Sequence, residues 1–219
     1  MTSRKYEMSR RAQTAALTRG RILDAAESLF VRHGYSRTTL REVARRAGVS
    51  VQSVYQAGSK ASLMMAILDR GFSGEEGAVS ILARPEFQAI MADPDTERAL
   101  GRYVDFIVAA NGRIFDLWHA AVLASDSDPE IAEAVRQSES RRMEDLHLGC
   151  GWFVGRGLLP QDRVSEFADV LGHLTGPDTH RYFVRERGWT DERFAQWLRA
   201  TIGGQLGQLG QYQTGRRMP

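Results

Sequence analysis

Ile22, Ala25, Ala26, Leu29 and Phe30 recur at three- and four-residue steps, with polar residues between them. That spacing predicts an amphipathic helix from about Thr14 to Arg32. His33-Gly34 closes it, with glycine at the usual left-handed C-cap. Thr39-Leu40-Arg41-Glu42 has the form of a capping box opening a short second helix that ends at Ala47-Gly48. Ser50 is placed to cap a third helix, and Ser59 a fourth running from Lys60 to about Phe72. The glycine- and acid-rich stretch 71–87 reads as a joint. Beyond it the periodicity predicts helices at about 95–111, 112–125, 129–154, 161–175, 178–187 and 190–209. They are separated by Asn111-Gly112, Asp128-Pro129, Gly157 to Pro160, Gly176-Pro177 and Gly188. No run alternates like a strand and no internal repeat is found, so the class is all-α. The Gly/Gln-rich tail is expected to fray.

Residues 40–55 carry the first candidate for function. Leu40, Val43, Ala47, Val49 and Val54 supply an apolar seam between two short helices. Ala44 is small where they approach, and Gly48 sits at a turn where positive φ suits glycine. These offsets are those of a helix-turn-helix. Charge points the same way. The chain's net charge is only +2, yet residues 1–60 hold twelve Lys/Arg against four Asp/Glu, about +8 by subtraction. The remaining residues come to about −6, from seventeen bases and twenty-three acids. A basic, nucleic-acid-facing head on an acidic body has this asymmetry.

Within that region, TRGRILDAAESLFVRHGYSRTTLREVARRAGVSVQSVY (18–55) resembles the N-terminal head of the TetR family of transcriptional regulators. The match lies in the ILDAAxxLF helix, the GY after its cap, and TTLREVARRAGVS. The resemblance implies a three-helix helix-turn-helix head and a C-terminal helical ligand-binding and dimerisation body. It divides the chain into a flexible basic arm (1–17), a DNA-binding domain (18–62) and a regulatory domain (63–213). It also implies that the third helix enters the major groove, presenting Ser50, Val51, Gln52, Ser53, Tyr55 and Gln56. Glutamine can pair with the N6/N7 edge of adenine and valine can touch a thymine methyl, while hydroxyls donate to phosphate oxygens. Thr39, Arg41 and Lys60 are then expected on phosphates, helped by the free N–H groups of helix starts. The partner would be double-stranded DNA with a palindromic operator, read by a homodimer whose recognition helices stand about one DNA turn apart.

One corner departs from the family pattern. Members usually carry Y-x-x-F-x-S-K, whereas this chain has Tyr55-Gln56-Ala57-Gly58-Ser59-Lys60. The loop is one residue shorter and the phenylalanine is gone. Gly58 can tighten such a turn, and Leu63 or Met64 is available to fill the gap. The aim of Lys60 is what the shortening puts in question.

Arg4, Lys5, Arg10, Arg11 and Arg19 form the expected arm, which would lie along phosphates or in the minor groove. The N-terminus lacks the apolar segment of a secretory signal. The apolar runs 106–110 and 119–124 are short for a bilayer, so no membrane partner is expected. A single cysteine, Cys150, excludes an intramolecular disulfide and suits a reducing cytoplasm.

TetR-like bodies commonly hold a small-molecule pocket, for which Met65, Leu68, Phe72, Tyr103, Phe106, Ile107, Phe115, Trp118, His119, Val122, Trp152 and Phe153 are the candidate lining. The effector would be lipophilic, and no cofactor or metal is expected. Phe167, Val170, Leu171 and Leu174, with Phe194, Trp197, Leu198, Ile202 and Leu206, are expected to make a dimer face from the C-terminal helices. GCGWFVGRG (149–157) echoes a dinucleotide motif, but no strand precedes it. His147 and Cys150, three residues apart, are too few for a metal site, and no base accompanies Cys150 for enzymic attack. The reading is therefore a non-enzymatic, ligand-responsive dimeric regulator, most often a repressor by family habit. The alternatives are a DNA-binding regulator without an effector, or an enzyme or metal protein using His147 and Cys150.

Overall fold

The computed structural model describes residues 2–77 and 79–214, with side chains described for 13–77 and 79–209. Eleven α-helices are found there: α1 (Thr2–His33), α2 (Leu40–Ala47), α3 (Val51–Ala57), α4 (Lys60–Ser73), α5 (Pro85–Met91), α6 (Thr96–Ala124), α7 (Pro129–Gly149), α8 (Gly151–Gly155), α9 (Val164–Leu174), α10 (Pro177–Arg181) and α11 (Asp191–Thr214). A π-turn, Tyr182–Glu186, follows α10. No strand occurs among the described residues, and the fold is all-α.

The chain forms two compact units. The first comprises residues 2–70, Gly74–Gly77 and Asp116–Val135. Its core is the apolar face of α1 (Ile22, Leu23, Ala26 and Phe30) with Val43 and Val54, joined by Leu63, Met64 and Ile67 of α4. All are essentially without exposed surface. The second unit comprises Gly71–Ser73 and residues 79–115 and 136–214. Its core gathers Val104 and Val108 of α6, Phe153 of α8, Phe167 and Leu171 of α9, and Phe194, Leu198 and Ile202 of α11.

Several elements differ from the expectation. α1 starts at Thr2, not near Thr14, because residues 2–13 contain neither glycine nor proline to stop it. The side chains of Arg4, Lys5, Arg10 and Arg11 lie outside the described residues. Asn111-Gly112 does not break α6, because Asn111 is buried and spends its side chain on a tertiary bond: Nδ2 donates to the Thr175 carbonyl at 2.9 Å. The two short apolar runs therefore join in one helix of 29 residues, long and apolar enough to cross a membrane, with half of its most apolar window buried. The stretch read as a joint contains the end of α4, and Pro85 at the first turn opens the unforeseen α5.

The expected dimer face is corrected. Phe167, Leu171, Phe194, Leu198, Ile202 and Leu206 are buried inside this chain, and Leu174 and Trp197 pack against the same core. Val170 is half-buried. The apolar stripes of α9 and α11 are covered by each other and by α6 and α8, so they need no second copy.

His180 lies in this core with 1 % of its surface exposed, its ring 5.4 Å from that of Phe115 and 5.3 Å from that of Phe194. Nε2 meets Asp191 Oδ1 at 3.0 Å, while Nδ1 is buried without a hydrogen-bond partner. Burial lowers its pKa, and the Asp191 carboxylate only partly opposes that. The folded pKa is therefore below the unfolded value of about 6.5. Stability is full above that value and is lost as pH falls below it toward the folded pKa. Thermal melts between neutral and mildly acid pH should show this decline, and His180→Phe should flatten it.

Candidate nucleic-acid interface

The helix-turn-helix is built from caps and a small-residue seam. Thr39 closes the capping box on α2: its hydroxyl accepts from the Glu42 N–H at 3.2 Å, and the Glu42 carboxylate accepts from the Thr39 N–H at 2.9 Å. Those contacts lower the Glu42 pKa, the Thr39 backbone N–H being the largest cause. Gly48 ends α2 at φ 63°, and a Cβ there would stand 2.8 Å from Arg21 Nη2, so both backbone and space call for glycine. Val43, Ala44, Ala47 and Val54 are buried along the crossing, while Leu40 and Val49 are half-buried.

Two arginines of α1 hold the carbonyl ends of these helices. Arg21 Nη2 donates to Ala47 O at 2.5 Å and to Gly48 O at 3.2 Å. Arg19 Nη1 donates to Ala57 O at 2.7 Å, and its Nε to Glu76 Oε2 at 2.6 Å. Arg19, expected with the phosphate-seeking arm, is thus engaged within the chain. Helix ends leave carbonyls without intrahelical partners, and these guanidinium groups satisfy some of them.

On α3, Val51, Gln52, Tyr55 and Gln56 are exposed, Tyr55 at 59 %, and Val54 between them is fully buried. Exposed positions i, i+1, i+4 and i+5 share one side of a helix, so the four make one outward face. Ser50 Oγ caps the helix by accepting from Ser53 N–H at 3.0 Å, and the two hydroxyls lie 2.8 Å apart. Ser50 is exposed and Ser53 half-buried, so both hydroxyls already have a structural use. Thr39 and Arg41 are exposed at the start of α2. Arg45 and Arg46, which are not among the expected contacts, are also exposed in its last turn. Their signal was two consecutive bases just ahead of the turn glycine.

The short corner closes through Gly58 at φ 141°, ψ 180°. Leu63 and Met64 are wholly buried near the start of α4. Ser59 caps α4 by accepting from Ser62 N–H at 3.1 Å. Lys60 is half-buried, with Nζ 4.1 Å above the Tyr35 ring. Tyr35, itself 2 % exposed, donates its hydroxyl to Asp128 at 3.0 Å. Burial first, then this bond and the Asp128 charge, raise the Tyr35 pKa far above the ordinary phenol value. Burial of Asp128 works against its ionised form. The Tyr35 hydroxyl, the N–H groups of Ile131 and Glu130, and Lys60 more than offset this, and its pKa is lowered. The Lys60 ammonium is thus occupied by an aromatic face and a nearby carboxylate. Lys60→Ala is expected to weaken DNA binding with little change in its salt dependence. Titrations at several salt concentrations check this, and a fall of about 0.9 in the slope would mean that the ammonium leaves Tyr35 for a phosphate.

The twelve candidate pocket residues divide between the two units. Met65, Leu68, Trp118, His119 and Val122 belong to the first unit, with Val122 exposed. Phe72, Tyr103, Phe106, Ile107, Phe115, Trp152 and Phe153 belong to the second. There Phe72, Phe106, Phe87 and Tyr103 form a chain of edge-to-face rings with centroids 6.0, 6.3 and 5.9 Å apart. Phe87 was missed because α5 was missed. Asn111 Oδ1 is buried without a hydrogen-bond partner, and burial, only partly opposed by the Thr175 hydroxyl, raises the Tyr103 pKa to about 12. Trp152 and Phe153 are core instead, Phe153 stacking edge-on with Phe167 at 5.3 Å. Cys150 has no exposed surface and burial pushes its thiol up to about 11, whereas His147 is exposed. No group of three or more His, Cys, Asp or Glu suited to a metal occurs among the described residues.

Comparison with known proteins agrees with this geometry. A family model described as bacterial regulatory proteins, tetR family, matches residues 22–67. The HTH-type transcriptional regulator TtgR of Pseudomonas putida is 41 % identical over 170 residues, covering 74 % of this chain and 77 % of that protein. Among solved structures, a protein assigned as a TetR-family regulator from Syntrophomonas wolfei has a TM-score of 0.71 at 15 % identity, covering 87 % of this chain and 95 % of that one. The SmeT–triclosan complex has a TM-score of 0.63 at 19 % identity, covering 85 % and 90 % respectively.

Proposed function

Since this chain belongs to the TetR family of bacterial transcriptional regulators, we propose that it is a cytoplasmic, dimeric repressor released from a palindromic operator by a small apolar effector. The observation that carries the DNA-binding part is the exposed face of α3, Val51, Gln52, Tyr55 and Gln56, mounted on a buried seam of Val43, Ala44, Ala47 and Val54. Gln52 reads a base edge and Val51 a thymine methyl, while Arg41, Arg45 and Arg46 grip phosphates. A gel shift against the DNA flanking its own gene tests this, and absence of any retarded band would count against it. Gln52→Ala should reduce the preference for the operator over mismatched duplexes by about 1–3 kcal/mol, with non-specific binding unchanged.

The effector reading rests on the second unit. The edge-to-face rings from Phe72 to Tyr103 offer an apolar surface, and Asn111 Oδ1 is a buried polar atom that lacks a partner. An apolar wall with few polar groups suits a compound such as the triclosan found with SmeT. Binding would raise the melting temperature by mass action and, by linkage, weaken operator affinity. Screening apolar hydroxylated aromatics by thermal shift tests this. A flat response would favour a regulator without an effector. Since the apolar stripes of α9 and α11 are core, the dimer would use other faces of these helices.

A further inference from the structure

We propose that Arg19 is a positioning residue for DNA reading: it ties the C-terminus of the recognition helix to Glu76. The inference rests on the DNA-binding reading and adds a residue to it that does not touch DNA.

The geometry is specific. α3 has only seven residues, so nearly half of its length is terminal turn with unsatisfied carbonyls. Gly58 N–H returns to Val54 O at 3.1 Å, which leaves the Ala57 carbonyl to be satisfied from elsewhere. Arg19 Nη1 meets it at 2.7 Å, while Nε of the same guanidinium meets Glu76 at 2.6 Å. Two different nitrogens are used, so the planar group is fixed on both sides and its orientation is set by Glu76. The result is a polar strut between α1, the end of α3 and the segment Gly74–Gly77 that follows α4. Arg21 does the same one helix earlier, on Ala47 and Gly48. The turn of the helix-turn-helix and its C-terminal end are thus held from one helix by arginines two residues apart.

Arg19 is 38 % exposed and basic, so its obvious alternative role is a phosphate contact. The two roles predict opposite signs at Glu76. If Arg19 gripped DNA, removing the acid would free the guanidinium and strengthen binding. If it positions α3, removing the acid loosens the strut and weakens binding.

The experiment measures affinity of the full chain for the duplex it selects from a random pool, and for a scrambled duplex, at several salt concentrations. Arg19→Ala and Glu76→Gln should each weaken specific binding, by about three- to tenfold for Arg19→Ala and less for Glu76→Gln. The double variant should be no worse than Arg19→Ala. Scrambled-duplex affinity and the salt slope should stay unchanged, and Arg19→Lys, which keeps one donor, should recover part of the loss. Tighter binding by Glu76→Gln, or a salt slope lower by about 0.9 in Arg19→Ala, would overturn the proposal in favour of a phosphate contact. Equal loss on both duplexes together with a melted head, seen by circular dichroism in Arg19→Lys as well as Arg19→Ala, would reduce Arg19 to a general stabiliser and also overturn it. Selection of no duplex by the unmodified chain would remove the DNA-binding reading itself and this inference with it.

Discussion

Gly58→Ala is expected to abolish operator binding while leaving the second unit folded. Gly58 sits at φ 141°, ψ 180°, a backbone region essentially reserved for glycine, where a side chain costs about 1–3 kcal/mol. A Cβ there would also stand 2.2 Å from Ser62 Oγ, which is itself committed to the Ser59 carbonyl at 3.0 Å. The Ser62 hydroxyl can rotate away, but the backbone strain stays unless α3 turns against α4, which swings the Val51–Gln56 face out of register with the groove. Binding should fall well beyond tenfold. Ser62→Ala added to Gly58→Ala removes the oxygen clash but not the backbone strain, so it should restore stability only in part. Gel shifts and thermal melts of the two variants check both statements. Wild-type affinity in Gly58→Ala would mean that the corner is looser than its geometry indicates.

Phe194→Ala is expected to destabilise the second unit by about 3–5 kcal/mol, irrespective of protein concentration. Its ring has no exposed surface and packs against His180, Phe183 and Trp197 at 5.3, 5.6 and 5.7 Å. Deleting it leaves a cavity in a core shared by α6, α9 and α11. Were the apolar side of α11 a contact between copies, the same change would instead shift the monomer–dimer balance and make the melting temperature depend on concentration. Melts over a wide concentration range, with sedimentation of the milder Ile202→Val, separate the two.

The reading head was legible because its signals are local. A capping box, a glycine at a left-handed turn and a serine N-cap each announce a helix end within four residues, and Thr39, Gly48, Ser50 and Ser59 play those parts. The seam through Val43, Ala44, Ala47 and Val54 was legible too, since its small and branched residues alternate at helical steps. The errors arose where distant contacts override local preference. Asn111-Gly112 is a turn signal in isolation, but a buried bond to Thr175 turns it into helix. The apolar stripes of α9 and α11 read as a surface seeking a partner because periodicity gives a face and not what covers it. Arg19 and Lys60 carry the phosphate expectation in the sequence, which does not show the carbonyl or the ring each one meets.

The most direct measurement is the affinity of the purified chain for duplex DNA selected from a random pool at low ionic strength, compared between the unmodified protein and Gln52→Ala/Tyr55→Ala. The account predicts a selected sequence with two-fold symmetry, bound tightly by the unmodified protein and no better than scrambled duplex by the variant. Selection of no sequence, or equal binding of that sequence by both proteins, would contradict the claim that the exposed face of α3 reads DNA.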